Sequence, residues 1–314
     1  MKNIFCCPDC RKDLSIEGNL ATCNKCRRRF YFSNNVWNLL PKILEKNKIN
    51  EDKLHFNPSC DVYKYNKQVW RCLIDLAPHL RRFEKEILPK IDGKKRILEL
   101  ACGTGWASAL VKNAYPRAEV YASDVSPNVL RLKTTKLCEI MDSGVDYFVA
   151  ADAERLPFAT GSFDFIFAIA SLHHFPDIAK VLNETKRVLS PWGVFLGIDG
   201  AMPRWCQRLI FGREKKMERA KDYGILEQLL TYRQWKEIIK NVNLSPKSVS
   251  PYTDPNFAQS ANNRDEAKIL RFSAAKKLFF NIIKHLPRPL VEFFCLMDFF
   301  PTGIVIEFTK GKED

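Results

Sequence analysis

The segment RILELACGTG at residues 96–105 begins as a short apolar run and ends in a glycine-rich turn. The run has the length of a buried strand, and a helical pattern follows the turn. Gly103 and Gly105 permit positive φ angles and let the backbone approach a ligand closely. The segment therefore predicts a strand, a ligand-binding turn and a helix, in that order.

Two features of this turn narrow the choice of ligand. The glycines alone leave NAD, FAD and S-adenosylmethionine open. A dinucleotide site usually has a third glycine, which lets the helix pack close to the strand beneath a pyrophosphate. That position is Ser108 here, and Glu99 lies four residues before Gly103. Because a carboxylate repels a pyrophosphate, the turn favours a ligand with an ammonium group and no phosphate.

Two more carboxylates end the next two predicted strands. Asp124 lies nineteen residues after Gly105, where a carboxylate can accept hydrogen bonds from both hydroxyls of a ribose. Asp152, followed by Ala153, ends the third strand and can accept a hydrogen bond from an adenine amino group. Because the carboxyl ends of parallel strands meet at one edge of a sheet, these two carboxylates and Glu99 are predicted to line one site.

Strands and helical patterns alternate along the middle of the chain. This order predicts βαβ units and a parallel, doubly wound sheet of the α/β class. A run of β-branched residues over 303–310 predicts a final strand. The strand candidates before it are Arg96–Leu100, Glu119–Ser123, Asp146–Ala150, Phe163–Ala168 and Gly193–Asp199, with helices at Pro127–Lys136 and Asp177–Leu189.

These motifs resemble the class I S-adenosylmethionine-dependent methyltransferases, and most of all their type 11 subgroup. The glycine turn is followed, in the order of that family, by DVS at residues 124–126, DAERLPF at 152–158 and SLHHF at 171–175. The resemblance implies a Rossmann-like fold with a seven-stranded sheet whose last strand is antiparallel. It also implies S-adenosyl-L-methionine as the cofactor.

The resemblance further implies roles for individual residues. Ala101 stands at a position where the family more often has glycine. The implied cofactor-binding residues are Glu99, Ala101 and Gly103 at the methionine end, Asp124 at the ribose, and Asp152 and Ala153 at the adenine, together with Gly105 of the turn.

Four cysteines near the N-terminus form two Cys-x2-Cys pairs. Twelve residues separate Cys7 and Cys10 from Cys23 and Cys26. Each pair turns tightly enough for both thiolates to face one ion, and four thiolates form the tetrahedron that zinc prefers in structural sites. Cys6 has the wrong spacing for this turn. The pattern therefore predicts one structural zinc ion.

The cysteine pairs belong to a segment, residues 1–40, that resembles the zinc-ribbon domain typified by the activator subunit of tRNA and release-factor methyltransferases. Leu14, FY at residues 30–31 and VWNLL at 36–40 keep the order of that family. The zinc-bearing N-terminus of bacterial 23S rRNA guanine methyltransferases is similar, but its last ligand is usually His where this chain has Cys26. We expect loss of zinc to unfold these residues while the core at 96–199 stays folded.

The chain is predicted to contain three parts. Residues 1–40 are a zinc ribbon, residues 41–95 a helical linker and cap, and residues 96–314 a methyltransferase domain with a helical insert at about 254–301. The insert has aromatic residues at helical spacing, which leaves core packing, a lid over a substrate pocket and a membrane-surface helix open. No uncharged apolar stretch approaches the ~20 residues of a spanning helix. The N-terminus and the eleven cysteines do not suggest secretion, so we expect a cytoplasmic protein.

His173 and His174 are the candidate catalytic residues. They follow the fourth predicted strand and face the expected acceptor. Methyl transfer is an in-line displacement at a sulfonium, so a base is needed only where the acceptor must lose a proton. Either histidine can serve as that base, and the alternative is that both shape the pocket wall.

The identity of the methyl acceptor stays open in the sequence. A small or lipid-linked metabolite is favoured, because the aromatic insert can roof an apolar pocket. An rRNA or tRNA base is the alternative, because the net charge is +14 and residues 1–50 and 201–250 each carry +6. A non-catalytic binding module on the same scaffold is the third hypothesis, which the intact set Glu99, Gly103, Gly105 and Asp124 opposes.

Overall fold

A computed structural model of the chain describes residues 4–55, 77–201, 203–204, 228, 230–242, 246–252, 290 and 302–311. Apart from Leu290, the predicted insert at about 254–301 lies outside the described residues, and so does most of the basic stretch 201–250. Within the described part of the chain, no helix is long and apolar enough to cross a membrane.

Between residues 96 and 201 strands and helices alternate as the sequence predicts. The strands are β1 Leu14–Glu17, β2 Leu20–Cys23, β3 Arg29–Ser33, β4 Val36–Asn38, β5 Arg96–Leu100, β6 Glu119–Asp124, β7 Tyr147–Ala150, β8 Phe163–Ile169, β9 Leu189–Ala201, β10 Pro246–Tyr252 and β11 Thr302–Thr309. The α-helices are α1 Lys46–His55, α2 Ala77–Arg82, α3 Trp106–Ala114, α4 Pro127–Val129, α5 Thr135–Ile140, α6 Ile178–Val188 and α7 Tyr232–Asn241. A π-helical turn at Leu130–Thr134 joins α4 to α5.

All eleven described strands belong to one mixed sheet in the order β1-β2-β3-β4-β7-β6-β5-β8-β9-β11-β10. Strands β4 to β9 pair in parallel within this order, and β11 is antiparallel to both β9 and β10. The predicted α/β class is confirmed. The carboxyl ends of β5 to β9 lie along one edge, which we call the carboxyl edge.

Alternate side chains of the central strands enter two different cores, as the pleat of a strand requires. Ile97 packs with α3 and α5 on one face, while Leu98 packs with α6 on the other. Phe165 and Ile166 of β8 alternate in the same way. Because both faces of these strands are covered, their sequences are almost wholly apolar.

Residues 4–40 share this sheet and core. β4 lies parallel to β7, with Val36 opposite Phe148. The ring of Phe5 lies 5.7 Å from that of Phe158, and the backbone N–H of Cys6 donates to Pro157 at 2.9 Å. The predicted zinc ribbon is therefore continuous with the core instead of tethered to it.

Residues 77–91 cap the sheet on the face of α3. Phe83 and Ile87, in a π-helical turn after α2, are fully buried. The Phe83 ring contacts Trp106 of α3 edge-on at 5.3 Å. The division of residues 41–95 as a helical linker and cap stays a prediction.

Candidate cofactor and active site

The glycine turn begins directly after β5 and runs into α3. Its backbone has positive φ at Ala101 (48°), Gly103 (53°) and Gly105 (74°). A Cβ atom at Gly105 would lie 2.3 Å from Cγ2 of Thr134, whereas at Gly103 nothing lies within 4 Å. Position 105 thus requires glycine for two reasons, the positive φ and the close packing against Thr134. Gly103 instead faces open space, so a ligand can approach its backbone.

Glu99 ties the end of β5 to the first turn of α3. Its Oε2 accepts a hydrogen bond from the Ser108 backbone N–H at 2.9 Å and another from the Ser108 hydroxyl. Burial raises the pKa of Glu99 to about 8, although the bonds from Ser108 oppose that rise. The serine that replaces the third glycine therefore anchors the acidic residue, a role that the sequence analysis did not assign.

Asp124, at the end of β6, is bound to the glycine turn itself. Its Oδ2 accepts from the Gly103 N–H at 3.0 Å, and its Oδ1 accepts from the Ser126 N–H at 2.9 Å. Burial raises the pKa of Asp124 above its ordinary value, against these bonds. The structure therefore places Asp124, the residue predicted to bind the ribose, next to the turn predicted to bind the methionine end.

Asp152, after β7, is buried and pairs with a lysine from the N-terminal part of the chain. The Nζ of Lys48 in α1 lies 2.9 Å from Oδ1 and 3.0 Å from Oδ2 of Asp152, and 3.3 Å from Oε2 of Glu154. Ala153 begins a short 3-10 turn in which the Glu154 N–H donates to Asp152. Lys48 gave no signal in the sequence, because it lies in a polar, lysine-rich stretch.

A second side chain of α1 reaches the neighbouring strand end. Asp52 accepts from the Ser126 hydroxyl at 2.7 Å and from the Asn128 backbone N–H at 3.0 Å. The Asn128 amide donates to its other oxygen at 2.9 Å. α1 therefore bridges the carboxyl ends of β6 and β7.

His173 lies at the same edge, in a 3-10 turn after β8. Its Nδ1 is 2.8 Å from Oδ1 of Asp199 in β9, and its backbone N–H donates to Oδ2 at 3.2 Å. Burial alone would raise the pKa of Asp199, but the charge and hydrogen bonds of His173 hold it below its ordinary value. The His174 ring centroid lies 4.2 Å from that of His173. Asp199 was not among the predicted site residues, although its place at the end of a predicted strand was a usable signal.

The four paired cysteines converge in the N-terminal strands. The Sγ atoms of Cys7, Cys10, Cys23 and Cys26 all lie within 4.8 Å of one another. Cys6 is buried beside them but is not part of this group. Four cysteine sulfur atoms this close together fit the ligand set of one metal ion.

A family of known proteins matches the middle of the chain. Residues 98–197 match the family described as "Methyltransferase domain". The matched methyltransferase domain contains the glycine turn, Asp124, Asp152 and His173. This match supports the predicted resemblance to class I S-adenosylmethionine-dependent methyltransferases. It does not include the cysteine-bearing strands, α1 or Asp199.

Curated relatives of the methyltransferase domain are named for quinone substrates. The chain is 31% identical over 134 residues to a demethylmenaquinone methyltransferase of Geobacillus kaustophilus, which covers 42% of this chain and 56% of the relative. It is 36% identical over 111 residues to the ubiquinone/menaquinone biosynthesis C-methyltransferase of Desulfotalea psychrophila, covering 35% and 44%. The similarity spans about half the length of these relatives.

Solved structures agree in fold. A Galdieria sulphuraria protein described as a sarcosine dimethylglycine methyltransferase has a TM-score of 0.51 at 16% identity, covering 75% of this chain and 85% of its own. The geranyl diphosphate C-methyltransferase of Streptomyces coelicolor has a TM-score of 0.50 at 15% identity, covering 82% and 83%. At such low identity these likenesses concern the α/β methyltransferase fold alone.

Proposed function

We propose that the protein is an S-adenosylmethionine-dependent methyltransferase whose acceptor is a lipid-linked, quinone-type metabolite. One observation carries the cofactor assignment: Asp124, at the end of β6, holds the N–H of Gly103 in a turn whose outer face is open. A turn of this kind suits an ammonium group and a ribose better than a pyrophosphate, because carboxylates line it. The names of the curated relatives support the acceptor class.

The residues present fit this cofactor. Glu99 and the turn at Ala101, Gly103 and Gly105 would hold the methionine end, and Asp124 would accept from the ribose hydroxyls. Asp152 and Ala153 would face the adenine. When bound, the cofactor supplies an electrophilic methyl group on a sulfonium.

The acceptor chemistry calls for a base. A phenolic ring carbon becomes a stronger nucleophile once the neighbouring hydroxyl has lost its proton, and one relative is named a C-methyltransferase. We propose that Nε2 of His173 accepts the proton of this hydroxyl. Asp199 fixes the tautomer, because its carboxylate accepts from the protonated Nδ1 at 2.8 Å, so that Nε2 is the basic nitrogen. Once the carbon carries the methyl group, its ring proton shifts to the neighbouring oxygen, which restores the aromatic phenol, and His173 releases the proton it accepted to solvent. His174 would line the acceptor pocket.

A structural zinc ion completes the proposal. Four thiolates within 4.8 Å of one another match the ligand set of a closed zinc site. Elemental analysis of protein purified without chelator should give one zinc per chain, and Cys23→Ser should abolish it. A wild-type protein without zinc would contradict this assignment.

The function is tested by supplying labelled S-adenosylmethionine with a reduced, short-chain demethylmenaquinol. We expect the label in the quinol fraction and a product one methylene unit heavier by mass spectrometry. Bulk cellular RNA serves as the competing acceptor. Label in RNA and not in quinol would overturn the acceptor class and retain the enzyme class. Absence of cofactor binding by calorimetry would overturn both and favour a non-catalytic module.

A further inference from the structure

α1 contacts Asp152, one of the residues proposed to bind the cofactor, and the residues that follow Asp124, although it belongs to the linker and not to the matched domain. Lys48 and Asp52 are four residues apart, so they project from the same face of the helix. Lys48 reaches the end of β7, and Asp52 reaches the residues that follow β6.

The Lys48 contact occupies the acceptor atoms of Asp152. Its ammonium lies within 3.0 Å of both carboxylate oxygens, and the two side chains are each only 6% exposed. Glu154, 4% exposed, completes the cluster at 3.3 Å. An ammonium buried in this way leaves almost no accessible surface on Asp152 for another donor.

When an adenine binds at this end of the site, one N–H donor to Asp152 replaces another. An exocyclic amino group can replace the ammonium on Asp152, which keeps the buried carboxylate hydrogen-bonded. Glu154 retains a partner after such an exchange, since its Oε1 also accepts from the Asp177 backbone N–H at 3.1 Å. Asp52 keeps its contacts to Ser126 and Asn128 in this exchange. The contact of Lys48 with Asp152 can therefore break while α1 stays bound to the carboxyl edge.

We propose that Lys48 is a gating residue of the cofactor site: it competes with the adenine amino group for Asp152, and α1 must release this contact before the cofactor can enter. This inference rests on the proposed function, because it assumes an adenine-bearing ligand. It extends the site beyond the matched domain to the linker.

The test compares two lysine variants of the full-length protein. Lys48→Met keeps the length of the side chain and removes its donors, and Lys46→Met makes the same change at an exposed position of the same helix. S-adenosylhomocysteine is the probe, and its binding kinetics are followed by surface plasmon resonance. We expect Lys48→Met to raise the association rate constant by about tenfold, as expected when a closed state no longer limits binding. Lys46→Met should match the wild type.

Hydrogen exchange on the wild-type protein is a second measurement that needs no variant. If Asp152 exchanges Lys48 for the ligand, amides of residues 46–55 should exchange faster when S-adenosylhomocysteine is bound. Slower hydrogen exchange of residues 46–55, or an unchanged association rate constant in Lys48→Met, would contradict the proposal that Lys48 gates the site. A raised dissociation rate with unchanged association would also overturn it, because Lys48 would then stabilise the bound state. Failure of the wild type to bind the probe would instead refute the proposed function.

Discussion

Ala101 stands where the methyltransferases that this segment resembles more often have glycine, and the backbone at this residue is strained. Its φ of 48° lies in the left-handed region, where a Cβ atom contacts the following carbonyl oxygen. Ala170, after β8, has a φ of 50°, so two strand ends at the carboxyl edge carry this strain. The strain falls next to the candidate cofactor turn.

Ala101→Gly should therefore increase the free energy of unfolding, by up to about 1 kcal/mol, because glycine adopts this φ without strain. Urea denaturation measures the difference. Ala109→Gly in α3 is the matched control, and should lower stability by roughly 1 kcal/mol, since glycine disfavours a helix interior. A destabilised Ala101→Gly protein would show that the Ala101 methyl group contributes packing that outweighs its strain.

Glu99 should make stability depend on pH. Its pKa rises from an ordinary 4.5 to about 8 through burial, so the folded protein binds this proton more tightly than the unfolded chain. The contribution of the protonated group is complete below pH 4.5 and is lost as the pH rises towards 8. Relative to Glu99→Gln, wild-type stability should fall by about 1.4 kcal/mol per pH unit inside that window. Parallel stability curves for the two proteins from pH 5 to 8 would contradict the shift.

Asp124 should control affinity for the cofactor. Asp124→Ala removes the proposed acceptor of the ribose hydroxyls and the bond to Gly103. We expect S-adenosylmethionine binding to weaken by roughly ten- to a hundredfold in calorimetry. Asp142→Ala, at an exposed position, is the control and should bind normally. Equal affinity of Asp124→Ala and wild type would place the cofactor elsewhere.

At the scale of elements, the N-terminal strands are joined to the core by aromatic packing as well as by pairing. Phe5 contacts the rings of Trp37, Tyr121 and Phe158 at 5.7 to 6.3 Å. These rings come from β4, from β6 and from the loop after β7. Arg11 adds an ion pair to Glu184 of α6 at 2.6 Å. Because these residues form one cluster, the N-terminal strands and the core should stabilise each other.

Phe5→Ala should thus destabilise the whole protein, by about 3–5 kcal/mol, as expected for a large aromatic side chain removed from a core. Tyr31→Ala, at a side chain that is 57% exposed in β3, should change stability by less than about 0.5 kcal/mol. Thermal unfolding with circular dichroism measures both. A Phe5→Ala protein as stable as the wild type would mean that the two parts fold independently.

At the scale of the whole molecule, the continuous sheet revises the expectation that zinc loss unfolds only the first 40 residues. Unfolding β4 would expose the edge of β7 and the rings around Phe158. We now expect chelation of zinc to lower the midpoint of one cooperative transition that includes residues 96–199. Limited proteolysis after chelation checks this. A resistant fragment that begins near residue 96 would support the earlier expectation.

The sequence by itself determined the features that depend on local order and spacing. The strand, turn and helix at 96–114, the carboxylates at the strand ends and the two Cys-x2-Cys pairs are all visible in this way, because each is set by neighbours along the chain. Only the tertiary structure decided the pairs Lys48 with Asp152, 104 residues apart, and His173 with Asp199, 26 residues apart. It also decided the pairing of β4 with β7. No periodicity specifies such partners, since they meet only when the packing of two apolar faces brings distant segments to one edge.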